Sequence, residues 1–180
     1  MHFRPTDVFG AMAIDPTPRE DDRGHFSRAW CLREFAEHGI DFVPVQENMG
    51  FSVRKGTLRG LHFQADPARE AKLVRCTRGS IFDVVVDLRP ESRSYLQWYG
   101  IELSAENGRM LYVPELCAHG YQTLEDRTDV YYLTSQYYAP ASARGVRFDD
   151  PVFDIEWPLA ASAMSEQDRH WPLVGVTTHL

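Results

Sequence analysis

Cysteine is scarce in this 180-residue chain: three residues, Cys31, Cys76 and Cys117, stand far apart. They form no C-x-x-C pair, and their odd number closes no disulfide framework. A reducing compartment, the cytoplasm, is expected, with all three as buried small hydrophobes. No apolar run approaches the ~20 residues that cross a bilayer as a helix. No basic flank leads into an apolar stretch at the start, so no signal peptide is expected. Positive charge is in deficit, with 19 Lys and Arg against 26 Asp and Glu, a net charge of −7. That balance argues against loose binding of nucleic acid or of an anionic membrane as the main task. A local basic pocket for an anionic small ligand is not. No two of the seven histidines stand at i,i+2 or i,i+4, so short-range H-x-H or H-x-x-x-H chelation is missing. Only a distant pair, such as His62 and His119, has a route to a shared metal. Repeats, low-complexity tracts and composition shifts are also lacking, which points to one domain over residues 1–180.

What is present suits a globular β-protein. Apolar residues make up 43% and charged residues 25%, enough for a core and too apolar for disorder. Residues 72–88 (KLVRCTRGSIFDVVVDL) hold two β-rich runs split by a turn at Arg78-Gly79-Ser80. QWYGIEL (97–103), MLYVP (110–114) and TDVYYLTSQYY (128–138) follow, rich in the aromatic and branched residues that pleated surfaces favour. Strands recurring every 10 to 15 residues with turns between them predict a sandwich or barrel rather than βαβ units. One helix is expected over about residues 28–38, capped by Ser27 and ended by Gly39. A second short helical piece is expected after Trp157-Pro158, and the last ten residues carry no strong signal.

Four clusters carry chemistry. Gly56-Thr57-Leu58-Arg59-Gly60-Leu61-His62-Phe63-Gln64 puts Arg59 and His62 into a β-patterned strand. Pro114 to Tyr121 places His119 among small residues at a strand end. Tyr131-Tyr132 and Tyr137-Tyr138 form an aromatic stripe, which in β-proteins is more often core or interface than catalyst. Ser165-Glu166-Gln167-Asp168 reads locally as a helix start, with Ser165 capping and Asp168 closing the box.

Taken in order, these stretches resemble the dTDP-4-dehydrorhamnose 3,5-epimerase family. The resemblance runs over about residues 5 to 170. It is carried by Asp22-Arg23-Gly24-x-Phe26, Gln46-x-Asn48, Leu58 to Gln64, Lys72 to Arg75, Phe82 to Arg89, Pro114 to Tyr121, Tyr132 to Tyr138, Asp149-Asp150-Pro151, Ile155 to Pro158 and Ser165-x-x-Asp168. It implies a mainly β cupin fold, a double-stranded β-helix or jelly-roll barrel with one or a few short helices. It also implies no metal and no organic cofactor. By resemblance His62 is the general base, Asp168 its partner carboxylate, Tyr132 the general acid, and Lys72 the lysine beside the substrate carbonyl, with His119 in the same pocket. Arg23, Gln46, Asn48 and Arg59 match residues that hold the nucleotide sugar, and Phe26 and Tyr137 or Tyr138 match aromatic contacts. The chain departs from the family at Leu133, where Lys is frequent, at Arg28 and Arg144, where Glu is frequent, and at Gln167, where Lys is frequent. Arg28 and Arg144 add positive charge to the expected ligand rim.

The chemistry fits these residue types. Inverting a carbon beside a ketone needs a base, a group that stabilises the enolate, and an acid on the opposite face. A neutral histidine, with a reference pKa of about 6.5, suits the base, and a buried Asp orients it. A tyrosine can donate across the ring, a Lys or Arg stabilises the enolate, and an Arg fork clamps a diphosphate. A nucleotide-4-keto-sugar epimerase acting at C3, C5 or both is therefore expected. Against it stand a C3-only or C5-only epimerase of another nucleotide sugar, a metal-dependent cupin enzyme, and a noncatalytic sugar-binding cupin. A homodimer is expected from the extended, proline-punctuated N-terminal segment, which can add a strand to a partner's sheet.

Overall fold

In the computed structural model, residues 1–175 are described; His179 lies outside them. The strand-forming runs fold as β1 (His2–Pro5), β2 (Met12–Asp15), β3 (Arg19–Asp21), β4 (Gly24–Phe26), β5 (Gln46–Ser52), β6 (Leu58–Gln64) and β7 (Lys72–Arg78). They continue as β8 (Ser80–Asp87), β9 (Trp98–Ser104), β10 (Met110–Val113), β11 (Cys117–Thr123), β12 (Thr128–Thr134) and β13 (Ala143–Gly145). The helices are α1 (Leu32–Glu37) and α2 (Glu166–Arg169). A six-stranded sheet runs β1-β2-β10-β7-β12-β5, and a five-stranded sheet runs β13-β6-β11-β8-β9. Together they make the mainly β jelly roll that the resemblance implied. The two remaining strands, β3 and β4, form a separate hairpin.

The turn at Gly79 is present, with φ +72°, but it joins no hairpin. β7 pairs with β10 and β12, while β8 pairs with β11 and β9, so the chain crosses there from one sheet to the other. Alternation then divides the side chains. Ile81 and Val85 of β8 point between the sheets, where they meet Val74 and Cys76 of β7 and Val130 of β12. Val84 and Val86 point outward under a cover that includes Val146 and Phe153. Both faces of β8 are dry, which explains its unbroken Val84-Val85-Val86 run.

The helix is shorter than expected. It starts at Leu32 behind Cys31, which makes no side-chain cap, so Ser27 does not cap it. Ala29 and Trp30 pack on the outer face of the six-stranded sheet instead of entering the helix. Fully buried Phe35 anchors α1 to that face. Gly39 ends it as expected, in the left-handed region at φ +74°. Cys76 and Cys117 are buried but Cys31 is only half-buried, because it lies at the helix start. The second helical piece falls at 166–169, and the strand in 128–138 stops at Thr134, before Tyr137 and Tyr138. Among the described residues no helix is long and apolar enough to cross a membrane.

Candidate active site

The inward-facing positions change character along the barrel. At one end they are Val74, Cys76, Ile81, Val85 and Val130, which seal the core. At the other they are polar: Gln46 and Asn48 of β5, His62 and Gln64 of β6, Lys72 of β7, His119 of β11, and Tyr132 and Thr134 of β12. These line a cavity of about 580 Å³. A polar lining that a filled core would not tolerate is kept solvated at the barrel mouth.

His62 and Tyr132 belong to different sheets and reach the cavity from its two walls. The C-terminal segment closes a third side. The Gln122 amide grips Leu159, donating to its carbonyl at 2.8 Å and accepting from its N–H at 2.9 Å. The Leu58 N–H donates to the Ala163 carbonyl at 2.9 Å. This lashing brings α2 against β6. Ser165 caps α2 by accepting the Asp168 N–H at 3.0 Å, as expected. The Asp168 carboxylate, however, does not close a capping box. It turns to His62 Nε2, 2.6 Å away, and accepts the Gly60 N–H at 3.4 Å. Burial pushes the Asp168 carboxyl up, but the hydrogen bond and charge of His62, with the Ser165 and Gly60 bonds, outweigh it and hold the group below the usual range.

A second pair lies deeper. His119 Nε2 meets Asp83 Oδ1 at 2.8 Å, and Asp83 is fully buried. Burial raises the Asp83 carboxyl, against the pull of His119 and Lys72, and its Oδ2 has no hydrogen-bond partner. Lys72 Nζ lies 2.8 Å from Glu70 and donates to the His62 carbonyl at 3.3 Å, bridging the two sheets. Burial also raises Tyr132, reinforced by Glu70 and opposed by Arg59. Its phenol is neutral at pH 7 and able to donate.

The remaining residues divide. Arg59 lines the cavity and is tied to β5 through the Phe51 carbonyl at 3.0 Å and Ser52 Oγ at 3.3 Å. Gln46 accepts the Tyr138 N–H at 3.0 Å and Gln64 accepts the Ala139 N–H at 2.6 Å, so the two amides set the course of the loop after β12. Tyr138 faces the cavity and Tyr137 does not. Arg23, Phe26 and Arg28 are not among the lining residues either. Arg23 pairs with Asp21, Arg28 pairs with Glu34, and Phe26 is 73% exposed on the β3–β4 hairpin. Leu133 packs on the outer face of the six-stranded sheet, so the family's Lys position there lies outside the cavity, whereas Arg144 and Gln167 line it. His62 and His119 are register partners on β6 and β11, but each Nε2 goes to a different carboxylate. Among the described residues no group of three or more His, Cys, Asp or Glu is placed to hold a metal. Asp83, Glu70 and Trp171 were not legible as site residues. Asp83 is masked by the Val-rich run around it, and Trp171 lies in the featureless end of the chain.

A jelly-roll barrel whose polar mouth sets a histidine–carboxylate pair across from a neutral tyrosine is built for moving protons on a small bound molecule, and this places the chain among the cupin-type epimerases, an isomerase class. Residues 5–175 match the family model described as dTDP-4-dehydrorhamnose 3,5-epimerase. A Sinorhizobium fredii protein of that name is 40% identical over 96% of this chain and 89% of its own. The solved dTDP-4-dehydrorhamnose 3,5-epimerase of Bacillus anthracis, with TDP and PPi bound, superposes with a TM-score of 0.92 at 38% identity, covering 96% of this chain and 99% of that one. The dTDP-6-deoxy-D-glucose-3,5-epimerase of Legionella pneumophila, in complex with dTDP-4-keto-L-rhamnose, gives 0.91 at 34% identity, covering 98% and 94%. The chain belongs to the dTDP-4-dehydrorhamnose 3,5-epimerase family.

Proposed function

We propose that this chain, acting as one domain, converts dTDP-4-dehydro-6-deoxyglucose to dTDP-4-dehydrorhamnose by inverting C3 and C5, using side chains alone. The observation that carries the reading is the 2.6 Å His62–Asp168 pair on one wall of the cavity with Tyr132 on the other. His62 takes the proton from the carbon next to the C4 ketone, and the electron pair moves onto the ketone oxygen as an enolate. Asp168 holds the imidazole and stabilises the imidazolium. Lys72 and Arg59 supply positive charge near the enolate. Tyr132 then delivers its phenolic proton to the opposite face, and solvent restores both groups.

Gln46, Asn48, Arg59, His119 and Tyr138 hold the nucleotide sugar from within the same barrel. Arg23, Phe26, Arg28 and Tyr137 lie outside that cavity. A homodimer supplies a way for the exposed β3–β4 hairpin to serve a neighbouring barrel. Light scattering at micromolar concentration is expected to give twice the chain mass of 20.7 kDa. The protein is expected to work in the cytoplasm.

The test is incubation with dTDP-4-dehydro-6-deoxyglucose in heavy water, with NMR at each carbon. Deuterium and inversion at both C3 and C5 are expected. Exchange at C3 alone would make this a monoepimerase, and exchange at neither would remove the epimerase reading for this sugar.

A further inference from the structure

We propose that Trp171 is a positioning residue of the His62–Asp168 pair, its indole holding the carboxylate and the imidazole in register for proton abstraction. The inference rests on the reading of His62 as the base. Trp171 follows α2 and lines the same cavity. Its Nε1–H donates to Asp168 Oδ1 at 3.3 Å, the same oxygen that meets His62 Nε2 at 2.6 Å. The Gly60 N–H takes Oδ2 at 3.4 Å. With both oxygens engaged, the carboxylate plane is set from two sides. The indole also stands edge-on to the His62 ring, with centroids 6.2 Å apart and planes at 67°.

The strand beside His62 is shaped to admit this ring. Gly145 is the register partner of His62 across β13 and β6. A Cβ at Gly145 would lie 2.3 Å from Trp171 Cε2 and 2.5 Å from Nε1, so any larger residue displaces the indole. Trp171 is thus wedged between the backbone opposite His62 and the carboxylate that His62 uses. A donor that shares Oδ1 also draws charge from it, which tempers how strongly Asp168 favours the imidazolium. Removing the donor returns that charge to Oδ1, the oxygen that meets His62.

The test is Trp171→Phe, which keeps a ring and deletes the N–H. The expected result is a kcat about 10-fold lower with little change in KM, and an acid limb of the kcat/KM profile displaced to higher pH. Arg59, Glu70, Lys72, His119, Tyr121, Tyr132, Tyr138 and Arg144, the other ionisable groups that line the cavity, are untouched by this change. A lowered Tm with kcat and acid limb unaltered would make Trp171 a packing residue only. A raised KM alone would make it a wall for the substrate. If Trp171→Phe fails to fold, 3-benzothienylalanine placed at position 171 keeps the shape of the indole without its N–H. It must reproduce the upward shift, and an unmoved limb overturns the proposal. Failure of the underlying reading looks different, because His62→Asn would then keep its proton exchange.

Discussion

His62 and His119 face one another in register across β6 and β11, yet their Nε2 atoms are committed to two different carboxylates, Asp168 at 2.6 Å and Asp83 at 2.8 Å. The two histidines are unlike in solvent access: the His62 side chain is 45% exposed and that of His119 is 9% exposed. Both line the cavity, and His62 is the more open of the two to a bound molecule and to water.

His62→Asn should therefore stop deuterium exchange at the sugar carbons, with a loss of at least about 10²–10⁴-fold, while the fold survives. His119→Asn should retain measurable exchange and act mainly on KM. NMR exchange rates on the two purified variants separate the roles, and equal losses would count against the division.

Tyr132→Phe should uncouple exchange from inversion. In the proposed mechanism the enolate forms on the His62 side before the phenol acts, so deuterium should still wash in while net inversion falls sharply. Burial raises the Tyr132 phenol, which keeps it protonated and able to donate through neutral pH. Parallel loss of exchange and inversion would assign Tyr132 to binding or to enolate formation instead.

Gly120→Ala should damage both fold and site. A Cβ there would sit 2.7 Å from the Arg59 carbonyl oxygen and 3.0 Å from Gly60 Cα. β11 and β6 approach this closely beside His119 and His62, with a register shift between His119 and Tyr121. Substitution forces the strands apart, at a cost on the order of 1–3 kcal/mol, visible as a lower Tm together with reduced exchange.

Acid stability should depend on Asp87. Burial pushes this carboxyl up, but bonds from Arg89, Ser92 and Ser94 at 2.8, 2.5 and 2.6 Å hold it below its usual value near 3.8. A depressed carboxyl contributes stability that is complete above the unfolded value and is lost as pH falls through the folded one. Asp87→Asn should lower Tm at pH 7 by an amount corresponding to about 1–3 kcal/mol and flatten the fall of Tm below pH 4. Asp83, raised by burial, titrates in the opposite sense, so the difference between wild type and variant is the quantity to measure.

Much of this protein is written locally. The β-runs, the break at Gly79, the helix stop at Gly39 and the Ser165 cap each follow from side chains a few residues apart, and the structure has them all. The start of α1, four residues later than the local pattern predicts, has a physical reason. Residues 28–31 are compatible with a helix, but Ala29 and Trp30 gain more by covering the outer face of the six-stranded sheet. Ser165 capping was legible, whereas the destination of the Asp168 carboxylate was not, because its partner lies 106 residues away.

The sequence by itself determined which residue types could carry the chemistry: an ordered set of motifs, a histidine in a β-strand, a tyrosine stripe and a carboxylate near the end. Alternation did not settle which of them share a face: Arg59 and His62, three apart on β6, both line the cavity because the register with β11 shifts between His119 and Tyr121. Only the tertiary structure decided which of them meet. Gln122 gripping Leu159 brings Asp168 to His62, the crossing at Gly79 puts Lys72 and Asp83 on opposite sheets, and Trp171 finds its place only because Gly145 leaves room for it. Such meetings depend on long-range packing, and the residues involved lie dozens of positions apart, so no local pattern of spacing or periodicity could have announced them.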